Sequence, residues 1–306
     1  MPFRKIIGFG KSSFVVSLPK PWLEKNNLAK GCSIKIEEEN GALKIWPETT
    51  SEKAISKVSV DIDSLGPFVV RYIHALYKTG IDEITLNTNG PGLLQNVQKA
   101  LRNQVIGFEI IEQKQNKCVI RNVSVELEGF SQMLRRTFFL ISSMGDESYT
   151  AIKEGEFDRL SDILIMEDAT NRFTMSCRRI LNRHGSKETK YVGPLYYLVE
   201  ELENIGDEYK YVCQYFIKHK KIPQKSLELY QATNKLFKIY SELFYKFSFN
   251  EAAKISEERK RIVDLATDLI DKSKGADTYM LHQIIIITQK IFNQVGPLFS
   301  LQIDHS

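Results

Sequence analysis

The chain is poor in the residues that interrupt helices, with 17 glycines and nine prolines among 306 residues. That excludes a collagen-like or low-complexity protein and leans toward helix. Cysteine is scarce too. Cys32, Cys118, Cys177 and Cys213 lie far apart with no C-x-x-C pair, which excludes a disulfide framework or zinc knuckle and makes them ordinary buried thiols. No run of 18 apolar residues occurs, and the first ten residues, which include Arg4 and Lys5, lack a continuous apolar segment. Neither membrane insertion nor secretion is expected, and the default compartment is the cytoplasm. Enzyme signatures are missing as well. His74, His184, His219, His282 and His305 are scattered without an H-E-x-x-H, and there is no G-x-S-x-G, P-loop or dinucleotide fingerprint. The sequence reads as a protein that is not an enzyme.

What is present is an ordinary globular composition, 42% apolar and 26% charged, at a length that suggests about two domains. The charge is uneven. The whole chain carries +4, yet its first thirty residues hold Arg4, Lys5, Lys11, Lys20, Lys25 and Lys30 against Glu24 alone. A basic head on a near-neutral body suggests contact with a polyanion, because clustered charge raises the field that phosphates feel. A solvated lysine-rich surface is the competing reading.

The pattern divides the chain into three parts. Up to about Pro47, Phe3 to Gly8 and Ser12 to Leu18 are strand-like around a Gly/Ser turn. Pro19 and Pro21 open a short helix through Trp22 and Lys25. Ser33 to Glu38 and Ala42 to Trp46 flank Asn40-Gly41, a dipeptide suited to a tight hairpin. So small a unit with few large apolar groups makes a poor solitary core, and dimerisation is the cheapest remedy. Residues 51–128 alternate strand and helix: strands at 57–62 and 81–87, helices from Ser64 to Gly80 and from Gly92 to Val105, then a closing hairpin at 107–112 and 117–125. This is a small α/β connector. The Gly90-Pro91-Gly92 stretch lacks a Walker lysine and reads as a loop.

From Phe130 onward the pattern is helical, with six helices near 130–153, 157–183, 188–220, 224–247, 250–273 and 277–303. The third carries apolar residues at 195, 198, 202, 205, 209, 212 and 216, one continuous stripe at spacings of three and four. Six such helices form two three-helix units in tandem, 129–221 and 222–306. The fold class expected is therefore multi-domain: an all-β head at 1–50, an α/β connector at 51–128 and an all-α part at 129–306.

Two families come into view. The run Arg4-Lys5-Ile6, Gly10-Lys11-Ser12-Ser13-Phe14-Val15-Val16-Ser17-Leu18-Pro19-Lys20, Leu28-Ala29-Lys30-Gly31 and Ile34-Lys35-Ile36 resembles the AbrB-type swapped-hairpin DNA-binding domain. The resemblance implies an obligate homodimer on duplex DNA, with Arg4, Lys5 and Lys11 on backbone phosphates and Ser12 and Ser13 in hydrogen-bonding reach. The helical part is similar to PhoU, the regulator of phosphate uptake, through Leu202-Glu203-Asn204-Ile205-Gly206-Asp207 and Glu167-Asp168-Ala169-Thr170-Asn171, where Asn171 replaces an acid. Together they imply a cytoplasmic transcriptional regulator of phosphate homeostasis, with the bundle sensing or docking to a phosphate transporter or sensor protein. The runner-up is an adaptor that controls a transporter ATPase or sensor kinase and uses the head for dimerisation only. A hairpin-domain antitoxin is a third reading, disfavoured because such proteins are much shorter.

In the PhoU-like family, such acidic pairs hold metal. Glu203 and Asp207, four apart on a helix, can share a hard cation, and Glu167 and Asn171 are the companions on the facing helix; the cofactor implied is a divalent or iron ion. A solvated face is the alternative for Glu203 and Asp207. Glu167 falls inside a stripe of Leu160, Ile163, Thr170, Thr174, Cys177 and Leu181. It therefore calls for a metal, a partner such as Arg178, a proton, or a place at the edge of a half-buried helix. Gln289 and Asn293 stand where the family repeats its acids, so a second metal cluster is not expected.

Overall fold

A computed structural model describes residues 3–39, 41–47, 55–102, 104–124, 129–186 and 189–303. Asn40, the expected 128/129 boundary and His305 touch or fall in segments outside the described residues. The chain divides into two compact units, Met1–Ile55 and Ser56–Ser306.

The first unit holds β1 (Ile7–Phe9) and β2 (Ser13–Val15), α1 (Lys20–Lys25), and β3 (Ile34–Glu39) paired with β4 (Ala42–Pro47). Both ribbons are antiparallel, with Gly8 opposite Phe14 and Ile36 opposite Ile45. The first two strands are shorter than the sequence pattern suggests. Gly10, at a φ of +74°, supplies the backbone for the β1–β2 turn. None of the described residues of this unit is buried. Cys32 is exposed with the rest, which corrects its reading as a buried thiol.

In the second unit, β5 (Lys57–Asp61) leads through a 3₁₀ turn and α2 (Val69–Lys78) to β6 (Glu83–Asn87), parallel to β5. The turn spans Asp63–Phe68 with a kink at Gly66, so Ser64 does not cap a regular helix as its position suggests. Next come α3 (Leu93–Leu101), β7 (Phe108–Lys114) and β8 (Lys117–Asn122), giving the sheet order β5-β6-β8-β7. Ile73, Tyr77, Ile84, Leu86, Val97 and Ile120 form the core of this layer.

The helices are α4 (Phe130–Glu154), α5 (Leu160–His184), α6 (Val192–His219), α7 (Leu227–Tyr245), α8 (Phe249–Ile270), α9 (Ala276–Asn293) and α10 (Val295–Gln302). The sixth expected helix is thus broken in two at Gln294. Pro297 lacks the N–H that would bond the Asn293 carbonyl, so the helix stops and restarts with proline in its new first turn. Taken together, α9 and α10 (Ala276–Gln302) make the one candidate stretch among the described residues that is apolar and long enough to span a membrane, at a mean hydropathy of 1.2. Packing accounts for that character: Met280, Leu281, Ile284, Ile287, Ile291 and Leu298 are buried in the bundle core.

The α/β layer and the helices, expected as separate domains, form one compact unit. A polar weld joins α2, the turn before β6 and α5, beside Met175 of α5, which belongs to the apolar core of the α/β layer. Arg179, 2% exposed, donates to the carbonyls of Tyr77 and Ile81 at 2.8 and 2.7 Å and to Asp82 Oδ1 at 2.9 Å. Its guanidinium also lies over the Tyr77 and Phe108 rings. The two sets of three helices likewise share a single apolar core. Asn234 of α7 ties them together, donating to the Gly145 carbonyl at 2.7 Å and accepting from Tyr209 Oη at 2.9 Å. Replacing a mid-helix glycine by alanine ordinarily stabilises by about 0.5–1 kcal/mol. At Gly145 a Cβ would lie 3.0 Å from Asn234 and 3.1 Å from Tyr209 Oη. Gly145→Ala should therefore lower the urea midpoint, by a net loss of about 1–2 kcal/mol from overpacking.

Candidate functional site

In the first unit the ribbon places Lys11 and Ser12 in its turn and Ser13 opposite Phe9. Arg4 and Lys5 precede β1, so the short strand separates them from Lys11. All five residues are exposed, and no described ion pair involves Arg4, Lys5 or Lys11. Their charges are available to a ligand, with nothing on the ribbon to neutralise them. The same unit exposes large apolar side chains: Phe3, Ile6, Phe9 and Phe14 are each at least 70% exposed, and Leu43 is 66% exposed. Phe14 stands opposite Gly8 and Phe9 opposite Ser13, so the two rings project from opposite faces of the ribbon and both faces expose large apolar groups.

In the second unit the apolar stripe of α5 is buried as its spacing requires, and Glu167 is buried with it at 4% exposure. The partner of Glu167 is not Arg178. Lys210 Nζ donates to Glu167 Oε1 at 2.8 Å and also to Asp207 Oδ1, while Asn171 Nδ2 donates to Glu167 Oε1 at 2.6 Å. Arg178, fully buried, pairs instead with Glu200 and Glu203. Thr174 Oγ1 adds a bond to Glu203 at 2.9 Å. The structure therefore does bring Glu167, Asn171 and Asp207 together, and it places Glu203 one turn away with a different cation.

Burial pushes the Glu167 carboxyl above the usual range, against the opposing pull of Lys210. Burial alone would lower the Lys210 ammonium, but its bonds to Asp207 and Glu167 outweigh that and hold it above the ordinary lysine value. The two carboxylates thus favour the charged form of Lys210, while burial presses Glu167 the other way. Burial also pushes the Cys177 and Cys213 thiols up to about 12, which leaves them inert as nucleophiles or ligands.

With Lys210 and Arg178 in place the cluster does not fit a hard divalent cation. Glu167, Asp207 and Glu203 each already face a side-chain cation, and an incoming metal would leave two buried or half-buried positive groups beside it. The equivalent place in the second set of helices holds Gln289, whose Oε1 accepts from Arg259 Nη2 at 2.9 Å, and an exposed Asn293. Sequence reasoning missed Lys210 and Glu200. The i, i+3 spacing of Asp207 and Lys210 was the available signal for the first. No family model matches the chain, and no curated protein or solved structure matches it.

Proposed function

We propose that the chain is a dimeric, DNA-binding transcriptional regulator of phosphate homeostasis that acts in the cytoplasm. In this reading its first unit sits on duplex DNA, and its helices sense or dock a phosphate transporter or sensor protein. One observation carries the first half of this reading: a unit of 55 residues that buries none of its described side chains yet exposes both large apolar groups and unpaired cations. A chain segment with no interior of its own folds by sharing one, and a second copy supplies identical apolar surface. Pairing two copies doubles the basic ribbon, giving the spaced cations that track a phosphate backbone. Arg4, Lys5 and Lys11 would hold phosphates, with Ser12 and Ser13 adding hydrogen bonds. The link to phosphate homeostasis rests on the PhoU-like pattern in α5 and α6, a fold-level analogy.

The test is duplex binding by the full chain across a salt series, with sedimentation to fix the stoichiometry. A dimer making roughly four to eight phosphate contacts should give a slope of log K against log salt of about −4 to −7. A dimer that shows no affinity for duplex at low salt would favour the adaptor reading, in which the head serves association alone.

A further inference from the structure

We infer that Lys210 is a tethered cation: its ammonium occupies the place between α5 and α6 where a carboxylate cluster of this kind would otherwise take a metal ion. This holds whether or not the head binds DNA, because it rests on the helices alone.

Three observations converge on it. Lys210 Nζ bonds Glu167 Oε1 and Asp207 Oδ1 together, so one positive centre bridges carboxylates from two helices as a metal ion would. Its side chain and that of Glu167 are largely withdrawn from water, at 22% and 6% exposure. Finally, Asn171, itself 7% exposed, gives its N–H to Glu167 and leaves its Oδ1 without a partner among the described residues. Lys210 Nζ bonds two oxygens here, one from each helix, and an ammonium carries no demand for a full oxygen shell. A hard divalent ion takes six or more oxygens and would recruit such an acceptor. The cluster thus retains oxygen donors suited to a metal, while its positive charge comes from the chain. Arg178 does the same for Glu203 and Glu200, so neither half of the acidic face needs an ion from solution to fold.

The consequence is specific. Intact protein should be indifferent to metal, whereas removing the ammonium should turn the cluster into a metal site. Lys210→Met keeps the length and apolar bulk of the side chain and deletes its charge. The experiment compares thermal melts of the full chain and of K210M, each with chelator and with millimolar Mn²⁺, alongside calorimetric titration of Mn²⁺ into both. Wild type should melt at the same temperature in either condition and show no stoichiometric heat. K210M should melt roughly 5–10 °C lower in chelator, since breaking a buried pair strands the other charge. Mn²⁺ should recover at least half of that loss, and Glu167→Gln in the K210M background should abolish the recovery while raising the chelator melt.

Three results overturn the inference. One is a stoichiometric metal in wild type that Glu167→Gln removes. The second is a K210M variant that melts like wild type in chelator. The third is a destabilised K210M that Mn²⁺ does not rescue, which would reduce Lys210 to an ordinary ion pair. Should K210M fail to fold, the titration of wild type and the folded K210M, E167Q variant still decide: a wild-type site sinks the idea, and a double variant that folds without metal supports it.

Discussion

Replacing Arg4, Lys5 and Lys11 together by alanine in the full chain is expected to cost most of its affinity for duplex DNA at low salt and to flatten the salt dependence. If each cation contacts one phosphate, the dimer loses six of its contacts, and a slope at the steep end of the expected range should become shallower by about 5. At low salt the loss amounts to several powers of ten. The dimer itself should survive, because the three residues are exposed and the apolar groups proposed to hold two copies together, Phe9 and Phe14 among them, are untouched. Sedimentation of the triple variant as a folded dimer with wild-type duplex affinity would remove the ribbon from the interface. Serine effects should be smaller: Ser12→Ala and Ser13→Ala delete neutral donors, which alter affinity without altering the slope.

How much of this was legible in the sequence depends on the distance over which each feature is made. The stripes of α5 and α6 were, because three-four spacing is a local property: Leu160, Ile163, Thr170, Thr174 and Cys177 on one helix, Leu195 through Phe216 on the other, are all buried. The helix ends were marked by residues such as Gly155, which takes a φ of +73° just after α4. The place of Glu167 inside the stripe followed from the same periodicity, which left open whether it was buried or at a half-buried edge. Its partner did not, because Lys210 lies 43 residues further on and reaches it across a helix pair. Charge balance between helices depends on side-chain reach and rotation, to which the spacing within either helix is blind. The same limit hid the weld between layers, where Arg179 and Asp82 are 97 residues apart. From the sequence, Arg178 and Arg179 read as neighbours on one helix. In the fold they leave the helix about 100° apart, Arg178 toward the acids of α6 and Arg179 into the α/β layer, and this divergence makes α5 the spine of the second unit.

That weld carries the largest stability effect to be expected from a single substitution. Asp82 accepts from Arg179 Nη2 at 2.9 Å, from Arg183, and from the backbone N–H and Oγ of Ser56 at 3.1 and 3.3 Å. Asp82→Ala leaves the guanidinium of Arg179 buried without its counter-charge, a loss of about 3–5 kcal/mol. For a unit of this size that corresponds to a melting temperature lower by roughly 6–20 °C. Burial pushes the Asp82 carboxyl up, but the bond from Arg183, the Ser56 amide and the charges of both arginines outweigh it and hold it below the usual range. A carboxyl depressed in this way adds stability above its ordinary titration range and loses it as pH falls through the lower, folded value. The gap between wild type and Asp82→Ala should therefore be widest near neutral pH and narrow in acid. Adding Arg179→Met to Asp82→Ala should recover much of the loss, because an apolar side chain in that pocket still packs against Tyr77 and Phe108 and strands no charge. If Asp82→Ala melts like wild type at neutral pH, the contact is not a weld, and the α/β layer must be held to the helices by its apolar contacts alone.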